Sequence, residues 1–211
     1  SMGGCIMGHF LNRFPEMVQQ VFLLSPGGFN RENPDYQKRI QDRLENSNWA
    51  LKCFSESMIK KIFDEKESPM EHFLAKMFRG TIIKRFFGER LCLSKEEQKL
   101  FAKFCIPISK AKPSSEKCLG YLFKLGPMSD QPIMPILRKM HKKKRIVIMY
   151  GAWDWMDFQL TTDIVNREDL DISIENVTNA GHQLIFQNPK KVSQLVKYHI
   201  FMNEEDQESP K

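Results

Sequence analysis

Short apolar runs recur along the chain, and each one ends at a glycine or a turn. The clearest covers residues 145–150, is rich in β-branched side chains and breaks at Gly151. Similar runs cover residues 172–177 and residues 21–24, the latter ending in the turn-like stretch 25–29. Strands buried on both faces of a parallel sheet read as nearly continuous apolar runs of this length. The pattern therefore predicts a parallel β-sheet.

Segments with helical spacing accompany these runs. The first covers residues 3–14 and is expected to stop before Pro15, and the second starts at Asn188 and Pro189. The apolar positions are Ile6, Met7, Phe10 and Leu11 in the first segment, and Val192, Leu195, Val196 and Ile200 in the second. Strands that alternate with helices predict an α/β fold.

The middle of the chain, residues 31–135, has a different character. Its apolar residues follow helical spacing, its charges are dense, and no convincing strand occurs between Asn30 and Lys144. Candidate helices cover residues 34 to the break at 46–48, then 49–63, 69–87 and 95–105. Ser94 and Glu97 predict a capping box at the start of the last one. An all-helical insertion between strands is expected to form a cap that excludes water from a substrate site.

Composition narrows the class of protein. The 211 residues carry a formal net charge of +6 and five scattered cysteines, with neither a CxxC pair nor metal-ligand spacing. An odd, scattered set of cysteines predicts no disulfide framework and no metal site, and it fits a reducing compartment.

No apolar stretch reaches the roughly twenty residues that cross a bilayer, and no signal peptide is recognisable. The positive charge suits nucleic acid, an anionic membrane or a solvated face, but no nucleic-acid motif supports the first.

Residues 77–87 interleave Lys and Arg with Phe, Met and Ile. Such a basic amphipathic segment can lie at a membrane interface, with its aromatic side chains in the acyl boundary. The simpler interpretation is a helix that packs its apolar stripe on the core while its cations reach solvent.

Chemically useful residues follow the predicted strands. Asp154 comes shortly after the run at 145–150, and His182 follows the run at 172–177. Open α/β sheets keep their chemistry at the carboxyl ends of parallel strands, so this acid and this imidazole are expected to meet. Asp154 can also simply cap the helix after its strand.

A nucleophile ahead of this pair would complete a catalytic triad, and the chain opens with Ser1-Met2-Gly3-Gly4. The order Ser, Asp, His is that of α/β-hydrolases, in which the serine occupies a sharp strand-to-helix elbow. At such an elbow, Gly3 and Gly4 relieve strain and allow close helix packing, and the Met2 N–H donates to the oxyanion. A Ser-Met start also arises in recombinant expression, in which case Ser1 has no catalytic role.

A series of motifs resembles one branch of the α/β-hydrolases. The motifs are LSKEE at 93–97, PSSE at 113–116, QPIMPIL at 131–137 and YGAWDWMD at 150–157. This branch holds the animal lipid-droplet lipase coactivator, the related N-acyl phospholipid lipase, and plant and yeast phospholipase or lysophosphatidic-acid acyltransferase relatives. The resemblance extends from Ser1 to about Val196.

The resemblance implies the C-terminal part of an α/β-hydrolase fold, with a parallel sheet and an inserted all-helical cap. The hydrolase core would take residues 1–30 and 136–202, the cap residues 31–135, and a disordered tail residues 203–211. The strands and the oxyanion loop that precede the nucleophile in this branch would then lie outside the sequence. The chain is accordingly expected to be a fragment that folds poorly alone, with an unpaired sheet edge.

The resemblance also assigns roles to residues. Ser1 aligns with the nucleophile, which is Asn in the coactivator, and His182 aligns with the general base. Asp154 stands where most α/β-hydrolases place the acid, and Asp157 stands where some members of the branch have one; Asp154 is the preferred choice. An HxxxxD pattern associated with acyl transfer begins at the same histidine, but Gln187 replaces its acid here.

The resulting hypothesis is a serine hydrolase that acts on acyl esters of phospholipids or lysophospholipids and needs no metal or organic cofactor. The alternatives are a lysophospholipid acyltransferase, which the Gln187 replacement disfavours, and a non-catalytic lipid-surface coactivator of a lipase. The expected partner is a lipid or phospholipid substrate, with a membrane or lipid-droplet surface in addition and no nucleic acid. The expected location is the cytoplasm, free or peripheral on membranes, lipid droplets or mitochondria.

Overall fold

The structure is a computed structural model, and it describes residues 1–29, 92–110, 123–125, 128–129, 131–156 and 158–208. Contacts between residues divide the chain into two compact units. One unit joins Ser1–Phe29 to Pro132–Lys211, and the other is Asn30–Gln131.

The described residues form six helices and five strands. The helices are α1 (Met2–Arg13), α2 (Lys95–Lys110), α3 (Met134–Met140), α4 (Phe158–Arg167), α5 (Leu184–Gln187) and α6 (Pro189–Glu208), with a short 3-10 turn at Pro15–Met17. The strands are β1 (Gln20–Leu24), β2 (Phe123–Leu125), β3 (Met128–Ser129), β4 (Arg145–Gly151) and β5 (Ser173–Val177). The elements α2, β2 and β3 belong to the second unit, and the others, in which strands alternate with helices, belong to the first.

The three apolar runs form one parallel sheet, as predicted. Its order is β1-β4-β5, with Val21 opposite Ile146 and Val147 opposite Ser173. Strand β4 lies in the middle and is buried along almost its whole length. This position explains its continuous apolar sequence, because a central parallel strand is covered on both faces.

Helix α1 begins right after Ser1 and ends at Arg13, before Pro15, as its spacing predicts. Its buried residues are Cys5, Gly8 and Leu11, which share one helical face. A Cβ atom on Gly8 would lie 2.7 Å from the Ile133 side chain, so the glycine permits close packing against the start of α3.

A cluster of buried apolar side chains joins the sheet to the last two helices. It consists of Val147, Met149, Val177, Ala180, Leu184, Val192 and Leu195. Burying a side chain of this kind contributes about 1.5–3 kcal/mol. Residues 178–183 join β5 to α5 and carry His182; they are called the histidine loop. Ala180 and Leu184 lie on either side of His182 in the sequence, so the core holds this loop on both sides of the histidine.

The second unit departs from the all-helical expectation. The Ser94 capping box is confirmed: the Ser94 N–H donates to Glu97 Oε2 at 2.8 Å, and the Glu97 N–H donates to Ser94 Oγ at 3.3 Å. However, β2 and β3 form a two-stranded antiparallel ribbon within the predicted cap, so residues 31–135 are not wholly helical. The Gly126-Pro127 turn signal between the two strands favours this ribbon over a helix.

Two helix ends also differ from prediction. Helix α2 continues to Lys110 instead of ending at 105, and α6 continues to Glu208, into the predicted disordered tail. The end of α6 is rich in Glu and Gln, which are good helix formers despite their polarity. The candidate helices within 34–87, including the basic segment 77–87, lie outside the described residues.

Candidate active site

Asp154 follows the carboxyl end of β4, as predicted, in a turn that is tied to the next strand. Its N–H donates to the Gly151 carbonyl at 3.0 Å. The N–H groups of Ala152 and Trp153 donate to the carbonyls of Val177 and Ala180, both at 3.0 Å. Backbone hydrogen bonds therefore join the turn that carries Asp154 to the end of β5 and to the histidine loop.

The Asp154 side chain is only 1 % exposed, and its oxygens are well supplied with donors. The His182 ring contacts Oδ1 through Nδ1 at 3.0 Å, the Met156 N–H donates to the same oxygen at 3.0 Å, and the Ser25 hydroxyl donates to Oδ2. Burial by itself raises the pKa of this carboxyl, but the hydrogen bonds from His182, Met156 and Ser25 outweigh it and hold the pKa below its ordinary value. Asp154 is therefore an ionised acceptor.

His182 is oriented for proton transfer. When Nδ1–H donates to the ionised Asp154, Nε2 is left as the basic nitrogen. Among the described residues Nε2 has no hydrogen-bond partner, and the side chain is 15 % exposed. The ring of Trp155 lies 4.9 Å from the imidazole, tilted by 45°. The structure thus brings together two of the predicted triad residues.

Ser1 lies at the same edge of the sheet. It precedes the first residue of α1, its main-chain nitrogen donates to the Leu24 carbonyl at 2.8 Å, and its carbonyl accepts the Gly27 N–H at 2.9 Å. Within the described residues, however, Ser1 Oγ makes no hydrogen bond to His182.

The remaining residues that the sequence predicts for the site are Met2, the two glycines that follow it, and Asp157. Met2 is the first residue of α1, where backbone N–H groups lack intrahelical partners. A Cβ atom on Gly4 would lie 2.7 Å from Pro26 Cβ, whereas one on Gly3 would meet nothing within 4 Å. Of these two glycines, only Gly4 is required by close packing. The alternative acid, Asp157, lies outside the described residues.

Ser25, which the sequence pattern places in a turn, is a further residue of the candidate site, because its hydroxyl contacts Asp154. It is 1 % exposed, its φ angle is 44°, and its N–H donates to the Met149 carbonyl at 2.8 Å. Its position directly after β1 is the available signal, because the residue after a parallel strand lies at the same sheet edge as Asp154 and His182.

Two further features concern only the part of the chain that the structure describes. There, no group of three or more His, Cys, Asp or Glu side chains is arranged to hold a metal ion. Nor does that part of the chain contain a helix long and apolar enough to cross a membrane.

A comparison with solved structures identifies the fold of the chain. The chain is similar over 95% of its length to a haloalkane dehalogenase of Agrobacterium tumefaciens, with a TM-score of 0.55, 11% identity and 64% of that chain covered. The chain has an α/β-hydrolase fold. No family model matches the sequence.

Two curated relatives share sequence with nearly the whole chain. A protein of Arabidopsis thaliana named 1-acylglycerol-3-phosphate O-acyltransferase is 24% identical over 214 residues, covering 94% of this chain and 47% of the relative. A Saccharomyces cerevisiae protein of the same name is 31% identical over 218 residues, covering 94% and 53%. The chain therefore spans about half the length of the curated relatives it matches.

Proposed function

We propose that the protein is a serine hydrolase in which Ser1, His182 and Asp154 act as a catalytic triad. The observation that carries the proposal is the buried Asp154 carboxylate hydrogen-bonded to His182 Nδ1 at the carboxyl ends of β4 and β5. This arrangement leaves Nε2 as the basic nitrogen, and Ser1 is anchored to the carbonyl at the end of β1, at the same edge of the sheet. Hydrogen bonds between nucleophile and base are often loose before substrate binds, so the missing contact to Ser1 Oγ is compatible with this role.

In the proposed mechanism, Ser1 Oγ attacks the carbonyl carbon of an ester while His182 Nε2 takes the serine proton. The charge that develops on the carbonyl oxygen is stabilised by the Met2 N–H at the positive end of α1. The tetrahedral intermediate collapses, the His182 proton passes to the leaving alkoxide, and an acyl-serine forms. Water then attacks this ester with His182 again as base, which releases the acid and regenerates Ser1.

The surroundings of Asp154 and His182 support their assignment. Three donors keep the Asp154 carboxylate ionised, which stabilises the imidazolium that forms during each proton transfer. The Trp155 ring lies within the distance at which an aromatic face attracts a cation. The proposal therefore keeps Asp154 as the acid rather than Asp157.

The substrate class is proposed from the two relatives, whose name specifies an acylated glycerol phosphate. A lipid acyl ester, such as a phospholipid or lysophospholipid, is the expected acyl donor. The same name favours a second candidate function, acyl transfer, in which the hydroxyl of a lysophospholipid replaces water in the second step. Both functions share the acyl-serine, so they differ only in what attacks it.

Labelling by a fluorophosphonate, combined with an assay of phospholipid hydrolysis, tests the proposal. The protein that carries this sequence is compared with its Ser1→Ala and His182→Ala variants, with His9→Ala as a matched control on α1. We expect labelling and hydrolysis in the parent and in the control, and neither in Ser1→Ala. Adding a lysophospholipid distinguishes transfer from hydrolysis through the appearance of a diacyl product. A folded parent that neither labels nor turns over lipid would refute the triad and favour the non-catalytic coactivator.

A further inference from the structure

Gln187 lies five positions after His182 and contacts the backbone on both sides of it. Its Oε1 accepts the Gly181 N–H at 2.8 Å and the Gln183 N–H at 3.2 Å. Because both partners are backbone donors, only the oxygen of the amide group can face them, which fixes the orientation of the side chain. One acceptor atom thus holds the two peptide groups that flank the proposed base.

The position of Gln187 is itself firmly held. It is the last residue of α5, and its N–H donates to the Gln183 carbonyl at 3.0 Å. Leu184, at the start of α5, belongs to the apolar core and is 2 % exposed. The next residue, Asn188, donates from Nδ2 to the Thr178 carbonyl at 2.8 Å, across the base of the histidine loop. Gln187 therefore connects this loop to the core.

The opposite side of the histidine loop is held by the end of β4 and the turn that follows it. The Trp153 N–H donates to the Ala180 carbonyl, and a Cβ atom on Gly151 would lie 2.2 Å from the Gly181 oxygen. The histidine loop is accordingly clamped between the end of β4 and the Gln187 amide. A loss of either support would let His182 Nδ1 move away from Asp154.

From this geometry we propose that Gln187 is a positioning residue for the reaction, because its amide oxygen holds the loop that aims His182. The inference rests on the proposed function and adds a residue that acts through the backbone on either side of His182. What the position needs is an acceptor oxygen at the length of a Gln side chain. A carboxylate of the same size meets that need, whereas a side chain without an acceptor does not.

Three variants of the protein test this requirement. Gln187→Glu keeps the size and an acceptor oxygen, Gln187→Met keeps the size without an oxygen acceptor, and Gln187→Ala removes the side chain beyond Cβ. We expect Gln187→Met and Gln187→Ala to lower kcat for ester hydrolysis by about tenfold to a hundredfold with little change in KM, since misplacing a catalytic group costs rates of this order. Gln187→Glu is expected to stay within about threefold of the parent.

Amide hydrogen exchange supplies a readout that does not depend on activity. The Gly181 and Gln183 amides are expected to exchange slowly in the parent and in Gln187→Glu and quickly in Gln187→Met and Gln187→Ala. The Val147 amide of the central strand should remain protected throughout, which shows that each variant is folded. A folded Gln187→Met with the parent's kcat and slow exchange at both amides would overturn the inference. An inactive parent whose Gly181 and Gln183 amides respond as expected would refute the triad while retaining the role of Gln187 in holding the loop.

Discussion

Gly151 lies directly against the backbone of Gly181, so that a Cβ atom on Gly151 would stand 2.2 Å from the Gly181 carbonyl oxygen. This contact joins the strand that delivers Asp154 to the loop that delivers His182. A Cβ atom on Gly181 would instead lie 3.4 Å from its nearest neighbour, Gln187 Oε1. Adding a side chain at Gly151 is therefore expected to disturb the structure more than adding one at Gly181.

We predict that Gly151→Ala lowers the free energy of unfolding by about 1–3 kcal/mol and abolishes most ester hydrolysis, because the histidine loop must move away from the new methyl group. Gly181→Ala is the matched control, since its methyl group would have ordinary van der Waals contacts. Its unfolding free energy is expected to stay within about 1 kcal/mol of the parent. Denaturation in urea measures both, and equal losses in the two variants would contradict the contact.

The two glycines after Ser1 provide a second comparison. A Cβ atom on Gly4 would lie 2.7 Å from Pro26 Cβ and 2.9 Å from Pro26 Cα, and the latter cannot move without shifting the backbone. Gly4→Ala is therefore predicted to cost about 1–3 kcal/mol of unfolding free energy. Gly3→Ala meets nothing within 4 Å and should instead add up to about 1 kcal/mol, because Ala is the better helix former. Similar thermal midpoints for the two variants would show that α1 does not pack this closely on Pro26.

The parts of the fold that could be predicted from the sequence are those with a strong local pattern. Strand β4 is a continuous apolar run because it is buried on both faces, and α1 ends where Pro15 requires it. The meeting of Asp154 and His182 follows from a general rule for parallel sheets and needed no knowledge of packing. The Ser94 capping box was equally local, since all its partners lie within one helical turn.

The parts that escaped prediction depend on contacts between distant segments. Ser25 carries an ordinary turn signature, and only the fold brings its hydroxyl to an acid 129 positions later in the chain. Gln187 looked like the loss of an acid, whereas its amide oxygen fills a structural need that sequence spacing does not reveal. The β2–β3 ribbon was missed because each strand is too short to show a period-2 pattern.

The charge state of Asp154 predicts how stability varies with pH. Its pKa in the folded protein lies below the ordinary value of 3.8, so folding favours the ionised form. The resulting stabilisation is complete above the unfolded-state pKa and is lost as the pH falls through the lower folded-state pKa. We therefore expect the free energy of unfolding in urea to decline below about pH 4, and the difference between the parent and Asp154→Asn to shrink over the same range. A constant difference between the parent and Asp154→Asn from pH 7 to pH 3 would contradict this account.

The Ser25 hydroxyl provides the most direct test of the acid's surroundings. It donates to Asp154 Oδ2, the oxygen that His182 does not use, from a backbone held at a φ of 44°. Removing it leaves a buried carboxylate oxygen short of one donor, and we predict that Ser25→Ala lowers kcat by about tenfold, equivalent to about 1.4 kcal/mol. Ala at a positive φ also adds strain, so Ser25→Gly is needed as a second variant: it relieves the backbone but still lacks the hydroxyl. Ser25→Asn tolerates the same φ and offers an amide donor, so it should recover part of the lost rate. If Ser25→Gly is as active as the parent, the hydroxyl does not support Asp154, and the loss in Ser25→Ala is a matter of backbone strain alone.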